Sequence, residues 1–279
     1  MEYTNTYTRY SELFYINNQY ELLKLKANGE RRYLIKDEIP VGAVWRGDNE
    51  SSAFYAYIAS QNPDLIRTSA LEAMNVKLLD KISGRDSLKA VIAPLLGIVE
   101  RGWYQIFYHE PLPIKLNFSP DLPTPRYLAP NKFTFLEAGS MADRKTNVWI
   151  EDTIIFTQDV MTLDQERISL YRKNIKEGKR PTIITMGLAR LESYDINGFQ
   201  DTQDERSRAE FVLESAAHCI EPQFVLDGHH KAMAYMKLKE RPSIISLVKL
   251  QFKEDYDTFL GEEDKYKILI ENKINDKIE

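Results

Sequence analysis

Thiols are almost absent from this sequence: Cys219 is the only cysteine among 279 residues. A single thiol excludes an internal disulfide framework and any cysteine-rich zinc module. Histidine is nearly as scarce, with His109, His218, His229 and His230 making up the whole set. Long apolar runs are missing too. The longest, Lys89–Val99, is interrupted by Pro94 and is too short to span a bilayer. The first residues lack the basic start and apolar run of a secretory leader, so the expectation is a cytoplasmic chain without membrane association. Nor is there an excess of positive charge: 37 lysines and arginines face 42 acids, a net charge of −5. That balance disfavours a whole-protein grip on nucleic acid, although a local basic patch is still allowed. No internal repeat is visible at periods of 20–50 residues, which excludes solenoid architectures.

What is present is an ordinary globular mixture, 43% hydrophobic and 28% charged, in a chain long enough to build a core without metal or disulfide staples. Six of the twelve prolines (Pro111, Pro113, Pro120, Pro123, Pro125 and Pro130) fall within residues 109–130. Proline lacks an amide donor and clashes with a helical turn, so this stretch reads as an extended connector. Residues 251–279 hold nine acids and five lysines, a balance of −4, and read as a solvated helical or frayed acidic tail. The resulting expectation is an α+β chain. A mixed N-terminal region of unknown role covers residues 1–130, with 110–130 as its connector. A small mixed sheet with helices follows over 140–255, and the acidic tail over 256–279.

In the first half, Tyr20–Lys26 and Arg31–Lys36 flank Asn28-Gly29, a hairpin signal, and Trp103–Tyr108 reads as an aromatic strand. His109-Glu110, before a proline, reads as structural. In the second half, Val148–Thr157 reads as a strand. Thr162-Leu-Asp-Gln165 has the capping-box pattern, opening a helix with Ile168, Tyr171 and Ile175 on one face and Gly178 placed to end it. Thr182–Met186 is a β-branched strand. A polar stretch, Asp195–Arg208, precedes a helix over about Ala209–Ala217. Phe224–Leu226 is a strand, Ala232–Lys239 a helix, and Ser243–Leu250 a final strand.

Chemistry concentrates at Asp227-Gly228-His229-His230-Lys231. An apolar strand enters a tight turn and a helix begins within two or three residues. A helix start offers unpaired amides and partial positive charge, a site suited to phosphate. Gly228 removes a side chain where a turn or a ligand needs room, and two histidines and a lysine gather donors at the same end. Asp227 is suited to capping the helix, orienting a histidine, holding Mg²⁺ or acting as a base. Spacing alone does not choose between this reading and a structural one, in which Asp227 caps, one histidine packs and Lys231 is solvated.

The segment Phe224-Val-Leu-Asp-Gly-His-His-Lys-Ala-Met-Ala-Tyr-Met-Lys-Leu, followed by Arg-Pro-Ser-Ile-Ile-Ser-Leu, resembles the Asp-Gly-His-His-Arg region of the ParB/sulfiredoxin superfamily. The upstream helix, Gly178 and Arg180-Pro181-Thr-Ile-Ile-Thr185 look like that family's helix, glycine and following strand. The resemblance spans roughly residues 148–250. It implies a small nucleotide-binding α/β fold, in a family that includes CTP-binding ParB proteins, sulfiredoxins and ADP-using free serine kinases. Carried over, it assigns Gly228, His229, His230, Lys231 and Arg180 to nucleotide binding. It puts Asp227 beside the reacting group or metal, and Asp227 and His230 among the catalytic residues. The kinases' additional base has no fixed counterpart; Asp159, Asp164 and Glu166 qualify by location, Asp159 most directly. Lys231 stands where the family has arginine and loses the bidentate fork. Cys219 lies outside the signature, which argues against sulfiredoxin thiol chemistry. About forty residues separate Ile184 from Phe224, where the family often has a short hairpin; the polar Asp201–Arg208 within them reads as a lid or as a solvated loop.

The resemblance therefore implies Mg²⁺-dependent phosphoryl transfer from ATP or ADP to a small molecule. The alternatives are a non-catalytic nucleotide-binding switch or interaction module, and a ParB-like nuclease. DNA clamping would call for a helix-turn-helix after residue 250, where the acidic tail stands instead. A nuclease would need a metal cluster that one Asp-Gly-His-His-Lys does not assemble. A degenerate signature, with the first half binding a protein, is a further alternative.

Overall fold

A computed structural model describes residues 8–18, 22–28, 31–46, 54–58, 92–109, 116–118, 135–138, 153–157, 163–190, 204–209, 223–240, 242–252 and 258–275. Its elements mix strands and helices in an α+β arrangement. The strands are β1 (Thr8–Ile16), β2 (Leu23–Ala27), β3 (Arg31–Lys36), β4 (Ile39–Arg46), β5 (Phe54–Ile58), β6 (Gly102–His109), β7 (Leu116–Phe118), β8 (Phe135–Ala138), β9 (Thr153–Ile155), β10 (Thr182–Arg190), β11 (Gln223–Asp227) and β12 (Ser243–Gln251). The long helices are α1 (Gln165–Lys176), α2 (His229–Leu238) and α3 (Glu263–Asn275).

The strands form an eight-stranded sheet, ordered β1-β6-β12-β10-β11-β9-β8-β7, and a four-stranded sheet, β2-β3-β4-β5. At the centre of the larger sheet, β10 runs parallel to β12 and antiparallel to β11. Helix α2 therefore leaves the end of β11 and passes β10 on its way to β12. The period-two alternation of the central strands loads both faces. Ile184, Met186, Phe224, Leu226, Ile245 and Leu247 face one way, into a core shared with Leu25, Leu34 and Val44 of the small sheet. Ile183, Val225 and Ile244 face the other way and pack with Ile168, Tyr171 and Ile175 of α1 and with Ala232 and Tyr235 of α2.

Local signals read from sequence reappear with their chemistry. At the Asn28 hairpin, the Asn28 amide donates to the Arg31 carbonyl (2.9 Å) and the Arg31 amide to Asn28 Oδ1 (2.7 Å). Helix α1 ends at Gly178 (φ +85°). There the Gly178 amide donates to the Ile175 carbonyl and the Lys179 amide to the Asn174 carbonyl, the paired bonds of a Schellman ending. The cap at its other end differs from the expected Thr162–Gln165 box. Asp164 is the N-cap, accepting from the amides of Glu166 and Arg167, because an Asp carboxylate immediately before the helix satisfies two orphan amides at once.

Three larger features differ from the sequence reading. Strand β6 pairs with β12 from Ile244↔His109 to Lys249↔Tyr104, so strands from before and after the proline-rich stretch lie side by side in one sheet. The acidic tail is not wholly solvated. Tyr266 and Ile270 of α3, with Phe259, pack on Tyr33, Ile35 and Ala43, and Tyr33 donates its hydroxyl to Glu263 (2.9 Å). Burial, reinforced by Glu263, holds the Tyr33 hydroxyl far above its usual pKa. The polar stretch ending at Arg208 already turns helical at residues 205–209, capped by Asp204 Oδ1 accepting from the Arg206 and Ser207 amides. Within the proline-rich connector, β7 lies at the end of the sheet order and contains no proline, as expected for residues that cannot donate to a ladder. Of the helix expected over about Ala209–Ala217, all but Ala209 lies outside the described residues. None of the described helices is long and apolar enough to cross a membrane.

Candidate functional site

Asp227 closes β11 opposite Ile184 of β10, and Gly228 makes the turn into α2 with φ +99°. Two constraints demand glycine here. The left-handed backbone disfavours any β-carbon, and a β-carbon would sit 3.2 Å from Ile183 Cα and 3.2 Å from Lys231 Cδ. The chain thus presses its backbone onto β10 at the point where the helix begins. Gly228→Ala is expected to cost about 1–3 kcal/mol, read as a lowered urea midpoint; an unchanged midpoint would contradict this account of the turn.

Helix α2 opens without a side-chain cap and without an acid in its first turn. Helix α1 has both, Asp164 as cap and Glu166 in the first turn. The positive end of α2 is therefore not neutralised by its own sequence in the way that of α1 is.

The three residues that follow Gly228 are all buried. The His229 ring packs tilted against Phe156, with the ring centroids 5.6 Å apart, and its Nε2 lies 3.2 Å from the Thr157 amide and 3.0 Å from Thr157 Oγ1. His230 Nε2 accepts from the Asp164 amide at 3.1 Å. Lys231, only 1% exposed, directs Nζ inward to Asp227 Oδ2 (2.8 Å) and to the Thr182 carbonyl (3.0 Å). The ammonium anticipated as a phosphate contact is committed to a buried ion pair one helical turn from its partner. Asp227 keeps 12% side-chain exposure.

Asp227, Gly228, His229, His230 and Lys231 are thus brought together around the start of α2, with Thr157, Asp164 and Thr182 as their partners. Arg180 is not among them. Its guanidinium lies 3.6 Å from Glu240, beyond the other end of α2. There its charge acts on the Tyr235 hydroxyl, which burial nonetheless pushes up to about 12. Asp164 and Glu166 are exposed at the start of α1. Asp159, His218 and Cys219 lie outside the described residues. Among the described residues no group of three or more His, Cys, Asp or Glu side chains could hold a metal ion.

Sequence reasoning missed Thr157 and Thr182 as partners. Thr182 acts through its backbone carbonyl, which carries no side-chain signal. The Asp227–Lys231 pairing was missed as well, because Asp227 closes β11 and stands outside α2, where helical spacing does not pair it with Lys231. The chain matches no family model, no curated protein and no solved structure.

Proposed function

We propose that this chain binds a phosphate-bearing nucleotide, ATP or ADP, at the start of α2 and transfers a phosphoryl group to a small molecule with Mg²⁺. The observation that carries the reading is the uncapped, acid-free first turn of α2, opened by a buried left-handed glycine and preceded by a carboxylate. Such a turn favours phosphate through backbone amides and the helix dipole. The ParB/sulfiredoxin-like signature supports the same reading.

In this reading the amides of His229, His230 and Lys231 face the phosphates, while Lys231 braces the turn from beneath. Asp227 is the carboxylate that would hold Mg²⁺, through Oδ1, because Oδ2 is committed to Lys231. One carboxylate fits this ion, which is usually held by one or two carboxylates plus substrate phosphates and water. When bound, it would supply charge neutralisation at the phosphates. Asp159 would serve as the base that deprotonates the acceptor. A second reading, binding without turnover, is favoured by one specific observation: Asp227, His230 and Lys231 all hold the fold together.

The test is thermal unfolding with ATP, ADP, CTP and GTP, with and without Mg²⁺. A ligand at a hundred times its Kd adds about 2.7 kcal/mol of stability, a rise of several degrees for a chain of this size. Absence of any rise across the panel overturns nucleotide binding. Consumption of a stabilising nucleotide in the presence of amino acids supports transfer, and stabilisation without consumption supports the module.

A further inference from the structure

The two histidines differ from ordinary phosphate-contacting side chains in what their rings do. Thr157 Oγ1 donates its single hydrogen to the Val225 carbonyl at 2.6 Å, so it has none left for His229. The Thr157 amide points at His229 Nε2 with hydrogen-bond geometry. A proton on Nε2 could be given to Thr157 Oγ1 at 3.0 Å, but it would crowd the amide hydrogen and leave a buried backbone donor unsatisfied. Nε2 is therefore the acceptor and the ring proton sits on Nδ1. His230 repeats the pattern, with Nε2 accepting from the Asp164 amide. Asp164 is also the residue that caps α1. Adjacent residues on one helical turn thus hold two backbone positions seven residues apart, just after β9 and just before α1.

We infer that His229 and His230 are positioning residues, a pair of neutral imidazoles that tether the backbone at Thr157 and Asp164 to the first turn of α2. The tether explains why two adjacent histidines are both buried at a helix start, where solvated charge would be expected. It also divides the labour at the site. The imidazoles set where β9, α1 and α2 meet, and any anion at the turn is met by amides. The inference does not depend on nucleotide binding; it would hold for a chain that binds none.

Heteronuclear NMR of histidine-labelled protein at pH 7.5 reads the tautomers directly. Both rings are expected to carry the proton on Nδ1 and none on Nε2; a protonated Nε2 on either ring overturns the tether at that residue. Amide exchange supplies the second measurement. His229→Leu is expected to speed exchange at Thr157 about tenfold, and His230→Leu to do the same at Asp164. His229→Gln and His230→Gln, whose side-chain oxygens can accept the same amides, are expected to restore protection. Unchanged exchange in the leucine variants, or no rescue by glutamine, overturns it. If the leucine variants do not fold, the wild-type tautomers decide alone.

Discussion

Glu100→Ala is expected to remove about 3–5 kcal/mol of stability, the cost of leaving a buried charge uncompensated and a large part of a domain's typical 5–15. Glu100 lies where the two sheets meet, with its side chain 3% exposed. Oε1 accepts the Leu25 amide at 2.7 Å, and Oε2 contacts Lys26 and Lys249, each at 2.8 Å. Leu25 and Lys26 belong to β2, and Lys249 to β12, so this one carboxylate binds the small sheet to the large one. Alanine strips the counter-charge from Lys249, itself 3% exposed, and the acceptor from Leu25. Glu100→Gln keeps an acceptor for Leu25 and loses only the charge, so its loss should be intermediate. The measurement is the urea midpoint, with three distinct values expected in the order wild type, Gln, Ala. Acid should erase the same contribution. Burial alone would raise the Glu100 carboxyl, but Lys249 and Lys26 outweigh it and hold its pKa below the ordinary value. A depressed native pKa means that the native state binds fewer protons than the unfolded chain. The stabilisation is then fully present above the unfolded value of about 4.3 and fades as pH falls through the native one. The gap between wild type and Glu100→Gln should narrow across that window; a gap that stays constant with pH would show that the charge is not what Glu100 contributes.

That junction also marks where sequence reading stopped. Features encoded by neighbouring residues were legible: the Asn28 hairpin, the Gly178 helix ending, the aromatic strand β6, and the strand–turn–helix at Asp227. The pairing of β6 with β12 depends on which edge of a distant sheet is open, and 134 residues lie between the partners His109 and Ile244, so no local pattern reports it. The β3–β4 turn was invisible for another reason. Asp37 (φ +50°) and Glu38 (φ +63°) both adopt the left-handed conformation that two-residue hairpins normally give to Asn and Gly. Contacts across the fold compensate here, because Glu38 is gripped by Lys24, Lys265 and the Tyr266 hydroxyl. Lys24 sits on β2 and the other two on α3, so the turn's chemistry is spread over three distant stretches of chain. At the candidate site the sequence placed five neighbouring residues at one turn, which the structure brings together, but did not reveal the direction in which their side chains point. A lysine at a helix start reads as solvated, and only the packing of Gly228 on Ile183 turns it inward.

The direction of Lys231 leads to the second large effect, an asymmetry between the two members of its ion pair. Asp227→Ala leaves the Lys231 ammonium inside the protein without its counter-charge, at 1% exposure, and is expected to cost about 3–5 kcal/mol. Lys231→Met removes the ammonium, fills most of its space, and leaves a carboxylate with 12% exposure that water can partly reach. Its cost should be smaller, about 1–3 kcal/mol, chiefly for the donor lost to the Thr182 carbonyl. The double variant should then be less damaged than the sum of the single changes, because the coupling between contacting residues is counted once. Lys231→Arg adds bulk beside the Gly228 turn and should cost about 1–3 kcal/mol through overpacking. Urea midpoints for the four variants measure all of this in one series. The same series separates the two possible jobs of the lysine. A side chain that grips phosphate would leave the midpoint near wild type when changed to Met and would lower nucleotide affinity instead. A side chain that braces the turn from beneath lowers the midpoint of Lys231→Met, and the folded variant retains whatever affinity the amides of α2 provide. The 2.8 Å contact to Asp227 and the 3.0 Å contact to the Thr182 carbonyl predict the second pattern.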